Sequence, residues 1–319
     1  MESSWEEALA AAADGLRRAS KRGQVMAAGG GRLSCEDGYL LQALTREVLH
    51  SPHANTAPVG GVQALVDGVG EVFDRPRSSA GFGELREADV AFVFGCDPTR
   101  SHPLVKTDLV QAVVHRGACL VVAHPVAGGL DRHAARVVHL AAGSEHVLLC
   151  AVAARLLAVG EGCREQVESL PGSKAWFESI EHYSSDSVVR AIGVGAGEID
   201  DIASRLGAAK RPLLIMGTGS GVPGDEAATA RAAASLAAVL GKTAGLLVLG
   251  GRSNVQGLVD VGLHPQLLPG HRQLTRAAEL ERLTGRSTVS EPGWTMSDWV
   301  AAGPGATAGL LLLGVDPVD

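Results

Sequence analysis

The chain has 319 residues, of which 46% are hydrophobic and 3% aromatic, and its formal net charge is −7. This acidic balance argues against a nucleic-acid-binding protein, which usually carries a basic stripe. No apolar run approaches the ~18 residues of a membrane span, and the acidic, amphipathic N-terminus is not typical of a secretory signal. We therefore expect a cytoplasmic protein whose core is built from Ala, Val, Leu and Gly, as in α/β folds.

The first part of the chain predicts two helices, one strand and a long loop. Apolar residues recur at helical spacing over 4–21, with Ser4 as the N-cap. The strand at 24–31 runs into a glycine turn, and Ser34 caps the helix that follows it. Residues 50–83 contain several prolines and glycines and therefore predict a loop-rich stretch.

The middle of the chain alternates between apolar strands and helices. The predicted elements there are 88–95, 103–116, 118–125, 135–143 and 144–160. Ser144 is the predicted N-cap of the last helix. Such alternation predicts a doubly wound parallel sheet.

The last part of the chain predicts a second α/β unit. Polar helical pieces over 161–200 precede a strand that runs into "GTGSG" at 217–221. A further helix and strand lead to an irregular loop at 252–270, and the final strand is predicted at 308–314.

One strand in each predicted unit ends in Gly-x-Asp-Pro, in "FVFGCDP" and "LLLGVDP". Ligands of open parallel sheets lie beyond the carboxyl ends of strands, and glycine lets the backbone turn there and approach a ligand closely. The carboxylates of Asp97 and Asp316 accept hydrogen bonds either from a ligand or from the next helix. A binding site and a simple turn both remain open from the residues alone.

Other chemical motifs are weak. The five cysteines form no C-x-x-C pair, which argues against a disulfide framework or an iron–sulphur cluster held by this chain. Six histidines between His102 and His146 match no zinc spacing. "LGKT" lacks the first glycine of a P-loop. "GTGSG" is either a tight turn or a cradle for a phosphate.

The segment "ADVAFVFGCDPTRSHPLVKTDLVQAVVHRGACLVVAHP" resembles the pterin-dinucleotide-binding region of the molybdopterin oxidoreductase superfamily, of the dimethyl-sulfoxide-reductase type. "NVQGLVDVGLHPQLLPG" is similar to a segment shared by formate dehydrogenases and the large iron–sulphur subunit of bacterial NADH:quinone oxidoreductase (complex I). The complex I subunit is the closer resemblance of the two. The resemblance to the superfamily covers nearly the whole chain.

The resemblance implies two doubly wound parallel-sheet lobes, one inserted in the other. The outer lobe is expected at 1–50 plus 205–319 and the inserted lobe at 51–204. It also implies a crevice for pterin nucleotides, with contacts from both lobes. The residues expected there are Gly95, Asp97, Thr99, His124, Gly217, Gly219, Asn254, Gln256, Gly314 and Asp316.

Three departures from the active enzymes of this superfamily stand out. No four-cysteine cluster motif is present. The position of the molybdenum ligand falls at Asn55 and Thr56, and an Asn is not an ionisable ligand. The second strand ends in His124 and Val126 where the superfamily has Asp and Arg, so an acceptor for guanine and a cation for phosphate are lost. We therefore expect neither a catalytic residue nor a metal ligand in this chain.

These departures favour a non-catalytic, pterin-fold region of a complex I large subunit with a structural role in electron transfer. We expect no cofactor in this chain by itself, with iron–sulphur clusters only in parts of a longer protein. Its partners would be other subunits of a respiratory complex peripheral to the inner membrane, without membrane insertion or nucleic acid. The alternatives are a formate-dehydrogenase-like chain that binds molybdopterin guanine dinucleotide and a module that binds a nucleotide-like ligand.

Overall fold

A computed structural model describes residues 2–57, 62–217, 226–241 and 243–316. The strands in these residues are β1 (Val25–Gly29), β2 (Ala54–Thr56), β3 (Val90–Phe94), β4 (Cys119–Ala123), β5 (Arg136–Val138), β6 (Pro212–Met216), β7 (Gly245–Val248), β8 (Leu267–Leu268), β9 (Arg272–Gln273) and β10 (Gly309–Leu313). The α-helices are α1 (Trp5–Arg22), α2 (Cys35–Ala43), α3 (Val62–Phe73), α4 (Pro98–Ser101), α5 (Pro103–Arg116), α6 (Glu145–Ala158), α7 (Arg164–Glu168), α8 (Ser173–Ile180), α9 (Asp186–Ala191), α10 (Ala196–Gly207), α11 (Glu226–Leu240), α12 (Val255–Asp260), α13 (Ala277–Thr284) and α14 (Met296–Ala302). A π-helical turn, Leu44–Val48, continues α2.

The chain divides into two compact units, one formed by Met1–Val59 with Arg252–Asp319 and the other by Gly60–Gly251. The continuous unit holds a five-stranded parallel sheet in the order β5-β4-β3-β6-β7. Alternate residues of its strands lie in two hydrophobic clusters. Phe92 and Phe94 pack with residues of α3, α6, α10 and α11. Ala91 and Val93 pack with residues of α5. Because both faces are covered, the strands are apolar throughout, and the predicted α/β class with parallel sheets is confirmed.

The discontinuous unit holds a three-stranded parallel sheet in the order β10-β1-β2. Ser4 caps α1 through a capping box, because its hydroxyl accepts from Glu7 N while the Glu7 carboxylate accepts from Ser4 N. Ser34 caps α2 by accepting from Asp37 N at 3.1 Å. Both predicted caps are therefore present.

The predicted boundary between residues 204 and 205, where the inserted lobe ends, differs from the boundary in the structure, which follows Gly251. The expectation places 205–251 in the outer lobe, but β6 pairs with β3 along its whole length and β7 pairs with β6. Strands 212–216 and 245–248 therefore complete the sheet of the continuous unit. The apolar pattern of a strand reports its burial and does not report which strand it pairs with.

Two local predictions are wrong. The loop-rich stretch 50–83 contains β2 and α3, and the loop 252–270 contains α12. Gly68 of α3 permits close helix packing, since a Cβ there would lie 2.5 Å from Ala227 O of α11. Ser144 is the N-cap residue of α6 as predicted, but its side chain makes no capping bond and donates instead to Ala141 O at 2.5 Å.

Candidate functional site

Three of the predicted site residues follow strands that end side by side. The register pairs Phe94 of β3 with the last residue of β4 and with the last residue of β6. Gly95, His124 and Gly217 are the next residues along these three strands. They therefore lie together at the carboxyl edge of the five-stranded sheet, where ligands of such sheets bind.

Glycine is required at this edge by the local geometry. Gly95 has a φ of +60°, and a Cβ added at Gly217 would lie 2.7 Å from the Cβ of Cys96. Burial raises the pKa of the Cys96 thiol to about 12, which favours the protonated thiol at neutral pH.

The Asp97 carboxylate organises the turn between β3 and α4. Its Oδ1 accepts hydrogen bonds from Thr99 N at 3.0 Å and from Thr99 Oγ1 at 2.5 Å. The Nε of Arg100 lies 3.8 Å from Asp97 Oδ2. Asp97 therefore acts as the N-cap of α4, which is the turn-forming alternative that the sequence left open.

His124 is held by a neighbouring carboxylate. Its Nε2 lies 3.0 Å from Asp131 Oδ1, and Gly128 N donates to Asp131 Oδ2 at 2.9 Å. Burial by itself raises the pKa of Asp131, but the hydrogen bonds from His124 and Gly128 outweigh it and leave that pKa lowered. Asp131 is therefore an ionised carboxylate that fixes the imidazole beside the end of β4.

A cleft of about 610 Å³ opens at this edge of the sheet. Its lining combines two cationic side chains with hydroxyls and glycines: Thr99, Pro103, Lys106, Thr107, Ala127, Gly128, Gly129, Asp131 and Arg132. The amide groups of the first turn of α5 add a positive helix end. The sequence reasoning did not find Lys106 and Arg132, because neither belongs to the strand-end pattern. They offer the positive charge that Val126 cannot supply.

In the discontinuous unit, Gly314 continues β10 beside Gly30, which continues β1. Gly30 N donates to Leu313 O at 2.9 Å, and a Cβ on Gly30 would lie 1.9 Å from Gly314 O. Gly314 has a φ of +61°. Asp316 follows as an exposed residue. The second Gly-x-Asp motif therefore also begins where a parallel strand ends.

Asn254 and Gln256 are engaged within the same unit. Asn254 Nδ2 donates to Leu33 O at 2.8 Å, and its backbone N donates to Gly31 O at 2.8 Å. Gln256 Nε2 donates to Asp260 Oδ1 at 2.9 Å. Asn254 thus ties the start of α12 to the glycine turn after β1. Gly219, the remaining predicted site residue, lies outside the described residues.

Asn55, at the expected position of the metal ligand, is completely buried on β2. Its Nδ2 donates to Trp294 O at 2.9 Å, and its Oδ1 has no hydrogen-bond partner among the described residues. His53 Nδ1 accepts from Trp294 N at 3.0 Å, and the two rings stack with centroids 4.7 Å apart. The Trp294 segment is therefore fastened to β2 around Asn55.

These observations separate the two ends of a pterin cofactor. Lys106, Arg132 and the first turn of α5 fit the phosphates of a nucleotide. Asn55 does not fit the anionic thiolate or selenolate ligand of the active enzymes, because its amide is neutral and does not ionise. Across the described part of the chain, no group of three or more His, Cys, Asp or Glu side chains is arranged to hold a metal ion.

The His53 contacts predict a loss of stability in acid. Burial lowers the pKa of His53 below the value of 6.5 expected in the unfolded chain. The unfolded chain therefore binds the proton first, and the free energy of unfolding falls as the pH drops from about 6.5 through the lowered pKa. Protonation of Nδ1 also removes the acceptor for Trp294 N. Thermal melts between pH 7 and pH 5 measure this slope.

The His53→Gln variant is the control, since it keeps an acceptor near Trp294 N and has no titrating group. Its melting temperature should depend less on pH in this range than that of the wild type. A residual slope is expected from His102, whose pKa is also lowered by burial. Equal slopes in the two proteins would contradict the assignment to His53.

Taken together, the parallel sheets with Gly-x-Asp at their strand ends define an α/β protein with a cleft beyond the carboxyl ends of its strands. Its sequence matches the family model described as molybdopterin oxidoreductase over residues 1–289. The chain belongs to the molybdopterin oxidoreductase family. The resemblance at superfamily level is thereby confirmed, and the finer likeness to the complex I subunit stays a prediction.

Several relatives are known by name. The chain is 26% identical over 330 residues to formate dehydrogenase H of Escherichia coli, covering 99% of this chain and 46% of the relative. It is 24% identical over 306 residues to the putative formate dehydrogenase YrhE of Bacillus subtilis, covering 92% and 31%. It is 26% identical over 328 residues to the NADPH-Fe(3+) oxidoreductase subunit alpha of Geobacter sulfurreducens, covering 98% and 38%. The chain thus spans less than half of each relative.

Among solved structures, acetylene hydratase from Pelobacter acetylenicus is similar with a TM-score of 0.60 and 19% identity. The match covers 76% of this chain and 33% of the other. This similarity supports the fold.

No helix in the described residues is long and apolar enough to cross a membrane.

Proposed function

We propose that this chain is the pterin-dinucleotide-binding part of a formate-dehydrogenase-like oxidoreductase that works together with partner subunits. The observation that carries the proposal is the cation-lined cleft at the carboxyl ends of β3 and β4. Family membership supports the pterin fold, and the named relatives include formate dehydrogenases and an oxidoreductase alpha subunit. We accordingly favour this function over the complex I region expected from the sequence.

Each side chain of the cleft has a role in this proposal. Lys106 and Arg132 neutralise phosphate oxygens, and Thr107 offers a hydroxyl to them. Gly128 and Gly129 let this wall of the cleft pack on His124 and Thr99, since a Cβ would lie 2.7 Å and 2.6 Å from these side chains. Molybdopterin guanine dinucleotide, when bound, supplies two-electron redox chemistry to such an enzyme. Asn55 adds neither charge nor a thiolate to that chemistry.

A second candidate is the non-catalytic, structural region of an electron-transfer assembly such as NADH:quinone oxidoreductase. The specific observation in its favour is the buried Asn55 amide, which hydrogen-bonds to Trp294 where an active relative would carry a metal ligand. In this case the partners are the other subunits of the assembly, and any attachment to a membrane occurs through them.

Cofactor analysis of the protein, purified with the subunits that accompany it, distinguishes the two candidates. We expect molybdenum or tungsten by elemental analysis, the fluorescence of oxidised pterin, and formate-dependent reduction of a viologen dye. The Lys106→Gln, Arg132→Gln double variant should retain several-fold less pterin. Arg18→Gln, on the exposed face of α1, should retain it fully. A folded complex without metal or pterin would refute the enzyme and support the structural candidate.

A further inference from the structure

A second cleft of about 680 Å³ lies at the amino end of β7, at the edge of the sheet opposite to the strand ends described above. Its apolar surface comes from Phe73, Ala237 and Ala244, and its polar groups include Arg75, Arg77 and Gln166. Sites for small molecules in proteins are clefts of roughly 300–1,000 Å³ with a mainly apolar lining and a few polar groups. The size and composition of this cleft fit that description.

The cleft is lined by two guanidinium groups that have no partner in the part of the chain that the structure describes. Neither Arg75 nor Arg77 forms an ion pair or a side-chain hydrogen bond within the described residues. They also do not cap α11, because Ala237 O accepts from Gly241 N and Val239 O accepts from Cys163 N. Among the described lining residues there is no acidic side chain. Within this set the two arginines therefore line the cleft without a counter-charge.

The segment that carries these arginines is held in place from both sides. Pro76 lies between them and packs on α3, since a Cβ on Gly70 would be 3.0 Å from Pro76 Cβ. Ser79 N and Ala80 N donate to Leu246 O of β7 at 2.9 and 3.1 Å. A segment fixed in this way presents its charges with little further loss of entropy when a ligand binds.

Gln166 supplies an acceptor that lacks a partner. Its Oε1 is buried from solvent and receives no hydrogen bond among the described residues. A buried acceptor without a donor lowers the stability of the folded protein. Groups of this kind are rare in folded proteins, and an absent ligand is one physical reason for them. Because Gln166 lines the cleft, rotation of its amide toward the cleft would let a ligand N–H or O–H satisfy this acceptor.

We propose that this cleft binds a small organic phosphate with a ring, of the size and chemistry of a nucleoside monophosphate. The ring packs on Phe73, Ala237 and Ala244, and a ring or sugar donor hydrogen-bonds to Gln166 Oε1. The phosphate lies between Arg75 and Arg77, whose guanidinium groups match its oxygens in pairs. The site is separate from the cleft of the proposed pterin nucleotide and does not depend on that function.

Isothermal titration calorimetry of the full chain tests the site with AMP, adenosine and inorganic phosphate as three separate probes. We expect saturable binding of AMP that is tighter than the binding of adenosine or of inorganic phosphate. Arg75→Gln and Arg77→Gln should each weaken AMP binding about tenfold, the loss of one charge-assisted contact. Both side chains are exposed, so the variants should melt like the wild type.

Arg18→Gln is the matched control, because it removes the same charge from an exposed position on α1. It should leave AMP binding unchanged. Equal losses in Arg18→Gln and Arg75→Gln would overturn the proposal, since net charge alone would then explain binding. Affinity for inorganic phosphate equal to that for AMP, or no saturable binding of AMP, would also overturn it.

Gln166→Leu provides a second, independent test. The substitution removes the buried acceptor at nearly constant size, so the melting temperature of the ligand-free protein should rise. The same substitution should weaken AMP binding several-fold, because the ligand loses its acceptor. A higher melting temperature together with weaker binding is not expected of a purely structural glutamine. Unchanged AMP affinity in Gln166→Leu would exclude its assigned role.

Discussion

Replacement of Arg46 by Met is expected to lower the free energy of unfolding by about 2–4 kcal/mol. Arg46 is completely buried in the π-helical turn after α2. Its guanidinium donates to the carbonyl oxygens of Gly262 and His264 and to Gln42 Oε1. In the Met variant both carbonyls lose their donor inside the protein, and each unsatisfied group costs about 1–3 kcal/mol.

The wild type spends free energy on burying the Arg46 charge, and the Met variant does not. This difference partly offsets the expected loss of stability. Burial lowers the pKa of Arg46 to about 10, so the cation is held at a cost by its carbonyl partners. Met has a similar unbranched shape and adds no new charge, which keeps the packing term small. The net effect remains destabilising, because removal of this one side chain takes the Arg46 donor away from two backbone carbonyl oxygens.

Urea denaturation of Arg46→Met, Arg46→Lys and Arg18→Met measures the effect. Arg46→Lys keeps the charge but lacks the planar fork that reaches two carbonyls, so it should lie between wild type and Arg46→Met. Arg18→Met, on the exposed face of α1, should unfold like the wild type. Wild-type stability in Arg46→Met would show that the two carbonyls find other donors.

The Asn55→Asp substitution is expected to have a larger effect, a loss of about 3–5 kcal/mol at neutral pH. It places a charge at a completely buried position that has no ion-pair partner among the residues the structure describes. It also replaces the nitrogen that donates to Trp294 O by an oxygen, so two acceptors face each other. The change of a single atom makes this a nearly isosteric test.

The pH dependence of Asn55→Asp gives a second readout. Burial raises the pKa of a carboxyl group introduced there above its unfolded value of about 3.9. The unfolded chain then loses its proton first, so the loss of stability grows as the pH rises from about 4 through the raised pKa. Acidic solution should therefore restore part of the stability, the reverse of the slope expected for His53.

Asn55→Leu is the matched control. It removes the partnerless Oδ1 together with the bond to Trp294 O, so its net cost should be about 1 kcal/mol. If Asn55→Asp were as stable as the wild type at pH 7, a cation or solvent would have to reach position 55. That result would reopen this position as a ligand for a metal.

Several features of the molecule follow from local sequence. Ser4 and Ser34 cap helices because a hydroxyl before an acidic first turn has one favourable arrangement. The apolar runs at 88–95 and 118–125 predict buried parallel strands, since a strand covered on both faces has no polar side. Gly95 and Gly314 predict turns at strand ends because only glycine adopts their φ without strain.

Other features depend on contacts between segments far apart in sequence. The assignment of β6 and β7 to the sheet of β3 could not be predicted, because an apolar pattern does not encode its pairing partner. Helix α3 was missed because its glycines suggest a loop, whereas in the structure Gly68 permits contact with α11. Lys106 and Arg132 meet in one cleft only after α5 has packed beside the end of β4.

Position 55 shows both contributions in one residue. The sequence by itself determined that no ionisable group is available there, since Asn has a neutral amide. Only the tertiary structure decided what the residue does instead, because Trp294 is 239 positions away along the chain. The hydrogen bond between them exists because folding buries a polar amide, and a buried donor must find an acceptor wherever the fold provides one.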